Sequence, residues 1–161
     1  MSRSTMRRLL TPAIAALVAG CGSSTSRDPN LYVPSPDWRD QVIYFVMTDR
    51  FADGDTTNDD QGRGEFDQSD DRKFSGGDFA GLREKLDYIQ GLGATAVWVT
   101  PPVANQWWDP LANFGGYHGY WARDFESVDD HLGTLDEYAG LAIDLHKRGM
   151  YLVQDLSLIH I

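Results

Sequence analysis

What most constrains this chain is an alternation. Three short apolar runs, "VIYFVMT" (42–48), "ATAVWVT" (94–100) and "MYLVQD" (150–155), are separated by two segments with the helical period. Runs this short, rich in β-branched and aromatic residues and almost continuously apolar, predict parallel strands covered on both faces. Between the first two, "FAGLREKLDYIQGLG" sets Phe79, Leu82, Leu86 and Ile89 on one helical face, with Gly93 as a stop signal. Between the second and third, "TLDEYAGLAIDLHKRG" has Thr134 and Glu137 at capping-box spacing and Leu135, Tyr138, Leu141, Ala142 and Leu145 as an apolar stripe, ending at Gly149. Strand, helix, strand, helix, strand calls for crossover connections and a parallel sheet, hence an α/β fold. A doubly wound open sheet and the start of a β/α barrel both satisfy the pattern. No Gly-rich phosphate loop follows the first strand, which argues against a nucleotide-binding unit. In either architecture the chemistry belongs at the C-terminal ends of the strands and in the loops that follow them.

Those loops have unusual compositions. "TDRFADGDTTNDD" follows the first strand and crowds Asp53, Asp55, Asn58 and Asp59 into one short turn. So many hard oxygen ligands with no sulfur or imidazole suit Ca²⁺ better than a transition metal. The spacing is not that of an EF-hand, because Asn58 stands where the turn glycine belongs and Gly64 where a bidentate Glu belongs. Composition alone leaves a solvated acidic loop equally open. Further on, "SGGDF" offers a glycine carbonyl and Asp78, which is also placed to cap the first helix. After the second strand, "NFGGYHGYWARDF" sets His118, Tyr120 and Trp121 on a Gly-rich loop. Exposed rings are costly unless something stacks on them, and flat sugar faces are natural partners; a loop that tucks its own rings under itself is the alternative.

The N-terminal segment reads as an export signal. "MSRSTMRR" is a basic lead into the apolar run "LLTPAIAALVAG", too short to span a bilayer and as long as a signal core. It ends in "VAGC", which resembles the lipobox of bacterial lipoproteins. Cys21, the only cysteine, would carry the lipid; an ordinary cleaved signal is the other reading. Residues 1–20 are thus expected to be a lipoprotein signal peptide and 21–36 a lipidated cysteine and polar tether. The product would be an exported bacterial lipoprotein, anchored to a membrane and facing the periplasm or cell exterior. The chain has 14 basic against 24 acidic residues, and Arg3, Arg7 and Arg8 lie in that N-terminal segment. A surface this acidic repels nucleic acid.

"VIYFVMTDRFADGD", "GGDFAGLREKLDYIQGLGATAVWVTPPV" and "GYHGYWARDF" together resemble the N-terminal part of the α-amylase family of glycoside hydrolases. That group includes α-amylases, cyclodextrin glucanotransferases, neopullulanases and maltogenic amylases. The likeness covers nearly all of Gln41 to Asp155, with several spaced motifs in the right order. It implies a (β/α)8 TIM barrel, of which the three runs would be the first three β/α units, truncated, with the catalytic-domain portion at 37–155. By resemblance, the calcium ligands map to Asp53, Asp55, Asn58, Asp59, the Gly76 carbonyl and Asp78. Tyr120 maps to the tyrosine that stacks on the sugar next to the scissile bond, with His118 and Trp121 on the same glucan chain. Asp155 matches the aspartate that opens the family's first conserved region.

Beyond Asp155 the pattern breaks, since the family continues to an Asn-His pair and here Ile159 precedes His160. The tail "LSLIHI" resembles the translation of a transposase end sequence used as a sequencing adapter, so residues 156–161 are expected to be foreign. The family's nucleophile Asp, acid Glu and transition-state-stabilising Asp lie on later strands, so the resemblance implies that no carboxylate of this chain takes those roles. The implied protein is a retaining enzyme acting on α-1,4-glucans such as starch and maltooligosaccharides. A noncatalytic surface lipoprotein that binds calcium or glucan is the second reading.

Overall fold

The structure is a computed structural model and describes residues 28–157. Cys21, the N-terminal segment before residue 28 and residues 158–161, Ile159 and His160 among them, lie outside the described residues. In chain order the elements are β1 (Ile43–Val46), α1 (Phe79–Glu84), α2 (Leu86–Gly91), β2 (Ala96–Val99), β3 (Val103–Asn105), β4 (Trp108–Asp109), β5 (Phe114–Gly115), β6 (Ala122–Val128), α3 (Leu135–Lys147) and β7 (Tyr151–Gln154). Each of the three apolar runs contains a strand, trimmed by one or two residues at each end. β1, β2 and β7 form a parallel sheet in that order, in a register that aligns Phe45, Trp98 and Val153.

Both crossovers bring their helices to the same face of this sheet. Val46, Val97 and Val99 share one buried cluster with Phe79, Leu82, Leu86, Ile89, Leu141 and Leu145. Side chains alternate across a strand, so Ile43, Phe45 and Trp98 point the other way. They are 44%, 52% and 37% exposed, with Phe45 and Trp98 in edge-to-face contact at 5.7 Å. The expectation of cover on both faces is therefore corrected: among the described residues the helix-facing side is covered, while the other side is left largely open, with Ala96 its fully buried member. Sequential parallel strands with every crossover on one side is the arrangement that curls towards a barrel, whose interior face is filled only by the strands that close it.

Two details differ from the helical patterns. The first helical segment divides at Lys85 (φ −97°, ψ 6°), whose N–H reaches back to the Leu82 carbonyl at 3.1 Å and tightens the turn to three-residue spacing. The apolar face survives the break, since all four of its residues are fully buried. In α3 the capping box forms as expected, with Thr134 and Glu137 bonding each other's backbone. Leu135, however, is 68% exposed. At 100° per residue it lies roughly 100° from the midpoint of Leu141 and Leu145, so the first turn carries it off the core. No described helix is long and apolar enough to cross a membrane.

Candidate functional site

The segment leaving β1 folds around its own carboxylates. Asp49 is 2% exposed and accepts the Ser75 N–H at 3.0 and 3.1 Å, while Arg50 Nε lies 3.3 Å from it. Burial outweighs these contacts and pushes its pKa up to about 6. Gly77 is required by close approach, because its N–H donates to the Asp49 carbonyl at 2.9 Å and a Cβ there would lie 2.6 Å from the Asp49 carbonyl carbon. Gly76, at φ +84°, holds a backbone conformation that side chains resist. Asp78, fully buried, is the hub. It caps α1 by accepting from Gly81 N at 2.6 Å and also accepts from Gly54 N, Asp55 N and Asn58 Nδ2 at 3.1, 2.8 and 3.3 Å. The helix cap and the closure of the acidic loop are thus one carboxylate.

Around Asp78 the sequence-derived cation ligands come together. Asp59 is 6% exposed, and its Oδ1 and that of Asn58 are buried without a hydrogen-bond partner. Burial raises the Asp59 pKa, and the charges of Asp53, Asp78 and Asp55 raise it further. Asp53 is raised by burial and then by Asp78 and Asp55. Asp55 behaves differently: its contacts with the Thr57 hydroxyl and N–H, at 2.6 and 3.0 Å, lower it. Gly76 adjoins, since a Cβ there would lie 3.0 Å from Asp59 Cγ. Orphaned oxygens among mutually repelling carboxylates are a fit for a hard cation. Among the described residues, no three His, Cys, Asp or Glu side chains are spaced to hold an ion by themselves. A cage here needs the Asn58 amide oxygen and the Gly76 carbonyl as well.

The aromatic loop lies beyond β2. The antiparallel pairs β3–β6 and β4–β5 carry it out from the sheet. His118 stacks parallel to Tyr120 at 5.8 Å and meets Trp121 edge-on at 4.6 Å. His118 Nδ1 accepts the Tyr120 N–H at 2.9 Å, which leaves the proton of the neutral ring on Nε2. The Tyr120 hydroxyl donates to Asp155 Oδ2 at 2.6 Å, joining the loop to the residue that follows β7. Burial, then this bond and the Asp155 charge, push the Tyr120 pKa up to about 12. All four residues named for sugar contact are therefore brought together. All are half-buried, so the loop packs part of its ring surface on itself and presents the rest.

Several residues that tie the two loops together were passed over in the sequence. Arg50 reaches the Asp71 and Lys73 carbonyls at 2.9 and 2.7 Å and the Ser75 hydroxyl, and its guanidinium carbon lies 3.7 Å from the centre of the Tyr117 ring. Glu65, Asp129 and His131 form a buried chain, with Glu65 Oε1 3.0 Å from His131 Nε2 and Asp129 Oδ1 2.8 Å from Nδ1. Asn105 Oδ1 is buried without a partner. The acidic-His cluster "VDDHL" was visible, but nothing in its spacing marked which member would be buried.

The α-amylase catalytic-domain model matches residues 45–161. The β/α-amylase of Paenibacillus polymyxa is 43% identical over 77% of this chain and 10% of its own length. The cyclomaltodextrin glucanotransferase of Klebsiella oxytoca is 40% identical over 77% of this chain and 19% of its own length. Among solved structures, the Geobacillus thermoleovorans α-amylase complexed with acarbose superposes with a TM-score of 0.62 at 38% identity, covering 78% of this chain and 26% of that one. The chain thus spans about a tenth to a quarter of the relatives it matches. With the motifs in order, a parallel sheet whose helices share one face and the aromatic loop joined to Asp155, the chain belongs to the α-amylase catalytic-domain family.

Proposed function

We propose that this chain supplies the donor-side glucan contacts of an α-amylase-type glycoside hydrolase that cleaves α-1,4-glucans with retention. The hydrogen bond from Tyr120 to Asp155, at 2.6 Å, carries the reading. It fixes an aromatic ring at the C-terminal end of β7, where barrel enzymes place their chemistry, with the His118 and Trp121 rings beside it. A ring held by a carboxylate loses little freedom when a sugar stacks on it, which favours binding. With its pKa pushed up to about 12, Tyr120 keeps its proton near neutrality and serves as a platform, not as an acid or base. Retention needs a nucleophilic carboxylate and a carboxylic acid on opposite sides of the scissile bond, roughly 5 Å apart. In this reading both come from later strands of the barrel. Asp155, Asp49, Asp78 and Glu65 are already committed to hydrogen bonds that hold the loops. Hydrolysis and glucanosyl transfer begin with the same donor-side binding, so either outcome is compatible with it.

A calcium ion held by Asp53, Asp55, Asn58, Asp59, Asp78 and the Gly76 carbonyl belongs to the same proposal. Its charge would relieve the repulsion among these carboxylates and stiffen the loop. Titrating maltotriose into the chain should quench tryptophan fluorescence, and Trp121→Ala should remove most of the change. Calorimetric titration of calcium should give heat that Asp53→Ala abolishes. An unchanged spectrum would overturn the substrate assignment, and absence of heat the calcium assignment, each independently.

A further inference from the structure

The buried imidazole of His131 lies where the two loops meet, outside both sets of residues described above. It is 4% exposed, and its partners Glu65 and Asp129 are 1% and 7% exposed. Each ring nitrogen faces a carboxylate oxygen, the arrangement in which a doubly protonated ring donates at both ends. Desolvation opposes that charge, but the hydrogen bonds and charges of Asp129 and Glu65 outweigh it and raise the pKa. Further charges surround the ring. Arg63 lies 3.9 Å from Glu65, Asp49 and Asp59 both feel the His131 charge, and Arg123 and Asp130 line the same cleft. Acidic groups predominate, which holds the proton on His131.

Each carboxylate also holds a separate segment. Glu65 accepts from Gln61 N at 2.7 Å and Arg63 N at 3.0 Å, closing the far end of the acidic loop. Asp129 accepts from His131 N and, through Oδ2, from Asn105 N at 2.7 Å. Two routes then reach the aromatic loop. Asn105 Nδ2 donates to the Gly116 carbonyl, immediately before Tyr117. Phe74 stacks flat on the His131 ring at 3.9 Å and meets Tyr117 edge-on at 6.3 Å, and Tyr117 in turn contacts His118.

We propose that His131 is a positioning residue: bridging Glu65 and Asp129, it fastens the acidic loop to the turn behind β6 and sets the place of the aromatic loop that holds sugar. The second half rests on the substrate reading given above. When the ring loses its proton, one of the two carboxylates faces a nitrogen lone pair in place of a donor. That end of the bridge then opens, because two acceptors repel. Positioning is therefore retained at acidic and neutral pH and lost as pH rises through the midpoint of His131.

The test uses the full chain with its histidines labelled with ¹⁵N. Ring-nitrogen shifts of His131 and ring resonances of Tyr117 are followed against pH, alongside maltotriose affinity. His131 should be doubly protonated at neutral pH and titrate on the alkaline side of an ordinary histidine, with Tyr117 and the affinity changing at the same midpoint. Glu65→Gln keeps an acceptor for Nε2 but removes the charge, so the midpoint of His131, and with it the change in the Tyr117 ring resonances, should move towards acid. Affinity at pH 8 should fall about 2- to 30-fold, the range typical of a residue that transmits coupling. A neutral His131 at pH 7, or Tyr117 resonances that ignore its midpoint, would overturn the proposal. If maltotriose fails to bind at every pH, the substrate reading falls, while the joint His131 and Tyr117 titration still decides the bridge.

Discussion

The two excursions from the sheet, 47–78 after β1 and 100–134 after β2, differ in what predominates, although Asp109, Asp124 and Asp129 of the second also accept backbone N–H groups. The first is organised by side-chain carboxylates that accept backbone N–H groups: Asp49 from Ser75, Asp60 from Gly62 and Arg63, Glu65 from Gln61, Asp67 from Ser69 and Asp78 from Gly54, Asp55 and Gly81. The second has short antiparallel pairs and a nest of rings, Phe114, Tyr117, His118, Tyr120 and Trp121, in mutual contact. A loop closed by carboxylates gains strong charge-assisted bonds, but burial and then mutual repulsion raise the pKa values of Asp53 and Asp59. A loop closed by rings has no such penalty and presents flat apolar faces outward. The one arrangement is suited to a cation and the other to an uncharged, flat-faced ligand.

The comparison breaks most decisively at Asp78. Asp78→Ala would leave four donors without their acceptor and remove the cap of α1, and the loss should be about 3 kcal/mol or more by urea unfolding. A loss below about 1 kcal/mol would mean that the acidic loop is held by something other than its carboxylates.

A similar magnitude, but dependent on pH, is expected from Asp49. Its folded pKa is raised, so between about pH 4 and pH 6 the folded chain holds a proton that the unfolded chain releases. Stability is therefore full below about pH 4 and declines as pH rises to 6, by about 3 kcal/mol for a shift of about 2 units. Asp49→Asn should flatten this part of the profile in calcium-free buffer. Parallel profiles for the two proteins would show that burial of Asp49 is not what raises it.

How much of this was legible depends on whether a feature is local. The helix stripes, the capping box at Thr134 and Glu137 and the cap at Asp78 follow from spacing along the chain, and all three appear in the structure. The crowding of four oxygen donors into one short turn and of three rings into another was legible from composition, but what either would hold was not. The exposure of Leu135 was not, since a residue at the margin of a stripe is decided by where the sheet ends. Neither was His131, which is 66 residues from its partner Glu65. Contacts of that range are created by the crossovers, and no local pattern announces them.

The smallest effect is expected where the two modes of construction touch at the surface. Arg50 and Arg63 both extend from the acidic loop onto rings of the other, Arg50 at 3.7 Å from the Tyr117 centre and Arg63 at 5.3 Å from that of Trp107. Arg50 also holds three oxygens of the 71–75 segment, whereas the Arg63 side chain is 41% exposed and only 3.9 Å from a carboxylate. Water and salt screen a contact of the second kind, so Arg63→Ala should cost about 0.5 kcal/mol and less at high ionic strength. Arg50→Ala, with its hydrogen bonds lost as well, should exceed it severalfold in the same urea titrations. Equal losses would mean that the contact between guanidinium and ring, common to both, is what joins the loops. Unequal losses in the expected order assign the difference to the hydrogen bonds by which Arg50 braces the 71–75 segment inside the acidic loop, so that its contact with the Tyr117 ring joins two loops already held by their own means.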